Sequence, residues 1–205
     1  MLQQSLCTCA GTITYFIPTL TASLGYKGTT AQYMTIPIYA VALVLVLLIS
    51  FSSDFHRERP RHIMFMAGLS TISLIIVGAV PPTAPRVRYA FLCFGASGIW
   101  ACSPLTLTYL SNTIAAPAEK RAVSIGIVNA LANLASVYGS YIWPASTAPE
   151  YVPGFTVSTS LMAGTFATAA ASIWLLRRFP YQDVQDSRVV GEAGLSVLGN
   201  TKSVH

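Results

Sequence analysis

Charge is what this sequence has least of. Asp, Glu, Lys and Arg make up 9% of its 205 residues, against about a quarter in a soluble globular domain. A soluble fold needs a charged shell around its core, so the shortage excludes one. Residues 122–149 hold no charge at all. No Asp, Glu, Lys, Arg or His falls near the middle of any long apolar run, which leaves the chain with no evident proton relay of its own. H-E-x-x-H, G-x-S-x-G and a membrane-embedded aspartate pair are also missing, so the chain is not expected to be an enzyme. There is no phosphate loop, no zinc-ligand spacing and no basic strip interleaved with aromatics. Nucleic acid, metal and cofactor are therefore not expected as partners. Cys7, Cys9, Cys93 and Cys102 form no C-x-x-C pair, and the last two sit in an apolar run where a thiol behaves as a small hydrophobe. No N-x-[ST] acceptor occurs. No positive charge precedes the first apolar run, which reads poorly as a signal peptide.

What is present is hydrophobicity: 53% of the residues are hydrophobic and the mean hydropathy is +0.58. Six runs are of spanning length, since about 20 helical residues cross a bilayer core. They cover residues 2–24, 32–52, 62–80, 89–114, 119–143 and 155–176. The pattern predicts an all-α polytopic membrane protein, with a six-helix domain over residues 1–180. A polar tail over 181–205 is expected to be disordered. The first run is the weakest, broken by Gly11 and Pro18, and the second opens on a polar, kink-prone stretch ending at Pro37.

Loop charge sets the orientation. With both ends on one side, that side carries Arg57, Arg59, Arg61, Lys120, Arg121, Arg177 and Arg178, and the other carries Lys27, Arg86 and Arg88. Basic loops stay cytoplasmic, which predicts both termini there.

The fifth run bears the most informative pattern. Gly126, Asn129, Asn133, Ser136 and Ser140 recur at spacings of three and four, which gathers small and polar groups on one helical face. Two carboxamides do not belong against lipid. They either hydrogen-bond to a neighbouring helix or line a wet substrate path. Tyr15, Tyr33, Tyr39 and Trp100 offer flat faces to a ring-bearing ligand, or serve as interface and packing residues. The densest charge cluster, Asp54 with Arg57, Arg59 and Arg61, follows the second run. The arginines are accounted for by topology. Asp54 sits where it can approach the positive N-terminal end of the fifth helix and latch the cytoplasmic side.

Four stretches, residues 16–42, 53–62, 107–144 and 148–155, resemble the C-terminal half of a major facilitator superfamily transporter. In detail they are similar to the fungal anion:cation symporter group, which includes allantoate and nicotinate permeases. The resemblance implies that the six runs are helices seven to twelve of twelve, arranged as two three-helix inverted repeats. The first, second, fourth and fifth would then face the central cavity. It also implies that the 53–62 loop is a copy of the family's G-x-x-x-D-R-x-G-R-K gate motif. Asp54 keeps the acid, Ser50 stands where the first Gly is expected, and Phe55 replaces the first basic residue. The implied task is uptake of a small organic anion such as nicotinate or allantoate with protons, across the plasma membrane. Asn129, Asn133, Ser136, Tyr39 and Trp100 would line the cavity, while Asp54, Arg57, Arg59 and Arg61 would form the gate. The countercharge and proton site would lie outside this chain. Rocking about a midplane site needs two halves, so the expected partners are the lipid bilayer, the anion with its proton, and a further six-helix half or a second copy. The alternative is a transport-inactive membrane protein that pairs with itself or with a full-length permease.

The topology has a direct check. In a background without native cysteines, Arg86→Cys is expected to react with an impermeant maleimide in intact cells, and Ser187→Cys only after permeabilisation. Labelling of both from one side would overturn the six-span count.

Overall fold

A computed structural model describes residues 2–25, 28–56, 58–81, 83–114, 118–147 and 150–178. Arg57 and the tail expected at 181–205 lie outside them. Among the described residues there are helices and no strand. In order they are α1 (Leu2–Ala10), α2 (Ile13–Ser23), α3 (Thr29–Tyr33), α4 (Thr35–His56), α5 (Arg59–Ala79), α6 (Pro85–Thr113), α7 (Ala118–Gly139) and α8 (Val152–Arg178), with short 3-10 turns at Ser140–Ile142 and Ala145–Thr147. The chain divides into two units, residues 1–171 and 172–205. In the second, Arg178 lies over the Trp174 ring at 5.5 Å.

The spans Thr29–His56, Arg59–Ala79 and Pro85–Thr113 are long and apolar enough to cross a membrane. At about 1.5 Å per residue, α7 with 22 residues and α8 with 27 also have spanning length. The first expected run is divided between α1 and α2 at Gly11-Thr12, as its composition suggested. The second is interrupted at Met34, between α3 and α4. Tyr89 repairs that interruption, donating its hydroxyl to the Met34 carbonyl at 2.7 Å. Helices α5 and α6 each open with proline in the first turn, where a missing N–H costs nothing.

Helix α6 is the hub. It packs on α5, α4 and α1, while α7 packs on α1. Small residues permit the closest crossing. Ser70 donates to the Gly95 carbonyl at 2.8 Å. A Cβ on Gly98 would lie 2.6 Å from Ser70 Cβ and 2.8 Å from the Met66 carbonyl oxygen. Packing of this kind replaces the hydrophobic driving force that helices lack inside a bilayer. Several hydroxyls on the spans are satisfied within their own helices, as with Ser97 to the Cys93 carbonyl and Thr106 to the Cys102 carbonyl. On α4 the opposite situation holds: Leu43, Val44, Leu47, Leu48 and Phe51 are exposed, as lipid-facing side chains are. At the other end of the bundle Trp143 stacks on Phe16 and meets Phe155 edge-on. Arg88, 4% exposed, lies over the Phe155 ring there and reaches the Glu150 carbonyl at 3.4 Å.

Gly98→Val is expected to lower stability by about 1–3 kcal/mol or more through overpacking, read as the denaturation midpoint in detergent. Gly126→Ala is the control, since a Cβ at Gly126 meets nothing within 4 Å.

Candidate functional site

The α1–α2 break, α6 and α7 line an open cavity of about 220 Å³. From α7 it takes Asn129, Asn133 and Ser136, which share a face because they stand four and three residues apart. From α6 it takes Ile99, Trp100 and Ser103, and from the first run Gln4, Thr8, Gly11, Thr12 and Tyr15. Three residues of the α7 stripe thus come together with Trp100. None of the lining side chains carries a formal charge.

The polar groups are arranged rather than scattered. Asn133 Nδ2 donates to the Asn129 backbone carbonyl at 2.8 Å and to Asn129 Oδ1 at 3.2 Å. Both asparagines are exposed. Trp100 is fixed from two sides: its indole Nε1–H donates to Thr14 Oγ1 at 2.8 Å, and Tyr39 from α4 stacks on its ring at 4.8 Å between centroids and 10° between planes. Tyr39 is not a lining residue; it stands behind the indole that is. Pro104, inside α6, has no N–H for the Trp100 carbonyl, which loosens the ladder beside the cavity. Tyr33, the remaining aromatic candidate, is exposed and does not line the cavity.

Gln4 was not singled out by sequence reasoning. It is 1% exposed and donates from Nε2 to Ser103 Oγ at 2.9 Å. Its signal was present: Gln4, Thr8, Gly11 and Tyr15 follow spacings of four, three and four, a second stripe facing that of α7.

The charged loop is tied to itself. Asp54 Oδ1 pairs with Arg59 Nη2 at 2.7 Å, with the Asp54 side chain 64% exposed and that of Arg59 18%. Arg61 pairs with Glu58. His62 donates from Nδ1 to the Glu58 carbonyl at 2.8 Å and stands 3.1 Å from Ser52 Oγ through Nε2. In this conformation the acid of the expected gate is therefore held by Arg59. Of the four gate candidates, Arg57 lies outside the described residues. Among the described residues no group of three His, Cys, Asp or Glu gathers to hold a metal.

A helical membrane protein with a polar, uncharged cavity between spans is the class these features define. The chain is similar to known carriers. It is 32% identical over 87% of its length to "MFS transporter prlL" of a fungal species (strain NRRL 50135), covering 36% of that protein. It is 31% identical over 81% of its length to "MFS-type transporter cnsO" of Penicillium expansum, covering 32% of it. It is 27% identical over 81% of its length to the "High-affinity nicotinic acid transporter" of Saccharomyces cerevisiae, covering 30% of it. The chain spans about a third of the length of these curated relatives. No protein-family model and no solved structure matches it. The resemblance to major facilitator superfamily transporters is borne out, and the chain corresponds to part of such a transporter.

Thr14→Val tests how the indole is held. It leaves the Trp100 N–H without its acceptor, a loss of about 1 kcal/mol. The expected result is a lower denaturation midpoint and a shifted tryptophan emission, both recovered in Thr14→Ser.

Proposed function

We propose that this chain is the second, six-span half of a major facilitator carrier of the fungal anion:cation symporter group, helices seven to twelve of twelve. It forms one wall of a path for a small organic acid such as nicotinate or allantoate, moved with protons by alternating access. On this reading α1 with α2, α3 with α4, and α5 make one three-helix repeat, and α6, α7 and α8 make the inverted second. Both termini are cytoplasmic, and the membrane is the plasma membrane.

The observation that carries the reading is the cavity. Asn129, Asn133, Ser136 and Trp100 line one space, in a chain whose relatives are named as transporters. The name of the yeast relative points to a pyridine carboxylate. Amides and an indole supply hydrogen bonds and a flat face to such a ligand. No charge lines the cavity, so the anion's countercharge and the proton carrier belong to the remaining helices. That all three relatives are named as transporters gives no support to the transport-inactive alternative.

The test pairs the chain with a first half. Co-expressed with the first six helices of the yeast nicotinic acid transporter in uptake-deficient cells, it is expected to restore labelled nicotinate uptake. Asn129→Leu and Asn133→Leu are each expected to lower that uptake at least tenfold with protein level unchanged, and Asp54→Asn is expected to alter the rate. Full uptake in both asparagine variants would assign them to packing. Robust uptake by the chain alone would overturn the half-carrier reading.

A further inference from the structure

One face of α5 runs as a stripe from the α4–α5 loop into the bilayer. His62, Phe65, Leu69 and Ile72 stand three, four and three residues apart, on one side of the helix. At the loop end, Ser52, His56, Glu58, Arg61 and His62 line a polar notch of about 310 Å³ that Phe65 closes below. Phe65 also lines the space that follows, an apolar groove of about 380 Å³ shared with Gly68, Leu69, Ile72 and Phe166 of α8. From His62 to Ile72 the helix rises about 15 Å, the depth of one leaflet of the hydrocarbon core. Gly68 is the floor of the groove. A Cβ there would already rest on the Phe166 ring at 3.5 Å, so a long side chain would fill the space. The notch has one group to spare. Arg61 is paired with Glu58, and Arg59 with Asp54. The Glu58 carbonyl can only accept, so the neutral His62 ring carries its proton on Nδ1 and takes the Ser52 hydroxyl at Nε2. The Ser52 carbonyl, 2.9 Å from His56 Nδ1, places the proton of that ring on Nδ1 in the same way. His56 Nε2 is left as an acceptor without a partner among the described residues.

We infer that this face of α5 is a sterol site, with the sterol hydroxyl donating to His56 Nε2 and the fused rings lying over Gly68 between Phe65 and Phe166. A phospholipid would bring a charged phosphate to a notch whose arginine is already paired. Its flexible chains would also lose more rotational freedom in the groove than rigid rings do. An uncharged hydroxyl matches the single open acceptor, and a flat ring system matches a glycine floor between two aromatic walls. No residue lines both this site and the cavity between α1, α6 and α7, so the site stands whether or not the chain is half a carrier.

The test is photolabelling of the 205-residue chain in phosphatidylcholine nanodiscs holding a trace of diazirine sterol, with labelled peptides identified by mass spectrometry. Label is expected on residues 56–72 and around Phe166, and is expected to be competed away by ergosterol. The methyl ether of ergosterol cannot donate, and is expected to compete about fivefold less well, the loss of one hydrogen bond. His56→Leu is expected to abolish that difference between the two competitors, and His56→Gln, which keeps an acceptor, to preserve it. Gly68→Leu is expected to lower labelling about tenfold by filling the groove, with helical circular dichroism unchanged. Should that variant lose its dichroism, the two competitors on the unaltered chain decide. Label spread evenly over the exposed face of α4 as well, equal competition by ergosterol and its ether, or competition by phosphatidylserine in place of ergosterol would each overturn the site and leave the cavity reading standing.

Discussion

Hydrocarbon offers no hydrogen-bond partner, and every polar group in these helices is placed by that fact. Most of the hydroxyls answer it locally. Thr71 donates to the Ala67 carbonyl, Ser97 to Cys93, Thr106 to Cys102 and Thr156 to Val152, each four residues back along its own helix. Such groups are spent and carry no further chemistry. Carboxamides cannot be disposed of so cheaply, because one internal bond leaves part of each unsatisfied. Gln4, Asn129, Asn133 and Trp100 all line the same cavity. The cavity is thus the place in this part of the bundle where polarity that the helices cannot absorb has been collected.

Collection requires that the helices be held at fixed distances, and small residues do this. The Ser70, Gly95 and Gly98 contact brings α5 against α6, and Gly139 lets α7 approach Thr12, with a built Cβ only 2.6 Å from Thr12 Cγ2. One fixes the helix that carries Trp100. The other fixes the helix that carries both asparagines against the break in the first run. Tyr39 and Thr14 then orient the indole, so its ring is a prepared surface rather than a mobile one. The order of causes runs from glycine spacing, to helix approach, to the geometry of a wall.

How much of this could be read from the sequence depends on whether the signal was a period or a contact. The α7 stripe is a period, and Asn129, Asn133 and Ser136 stand together as their spacing required. The apolar runs at residues 32–52, 62–80 and 89–114 overlap α4, α5 and α6. The stripe on the first run had the same form, yet Gly11, Pro18 and the many hydroxyls made that run look merely weak. By composition its polarity reads as poor spanning character, whereas polarity facing a cavity is what a lining helix has. Contacts were not legible. Nothing in the spacing of Tyr39 and Trp100, sixty-one positions apart, says that one ring backs the other. Nor did the loop sequence show that Asp54 is held by Arg59 in this conformation.

A wall with no formal charge constrains how an anion can be handled. On the carrier reading, dipoles from amides can orient a ligand and reject wrong shapes. They cannot replace the hydration of a carboxylate, which in a low-dielectric cavity needs an opposite charge close by. The chain covers 36%, 32% and 30% of three relatives named as transporters, so most of their length has no counterpart in it. Recognition then divides by physical type. On the proposed reading this side distinguishes ligands by hydrogen bonds and flat faces, which act over about 3 Å. On the same reading the facing side attracts them by charge, which acts over about 8 Å in physiological salt. The long-range term draws any small anion in, and the short-range term decides which anions fit. Changes on this side should therefore alter selectivity among anions more than the preference for anions as such.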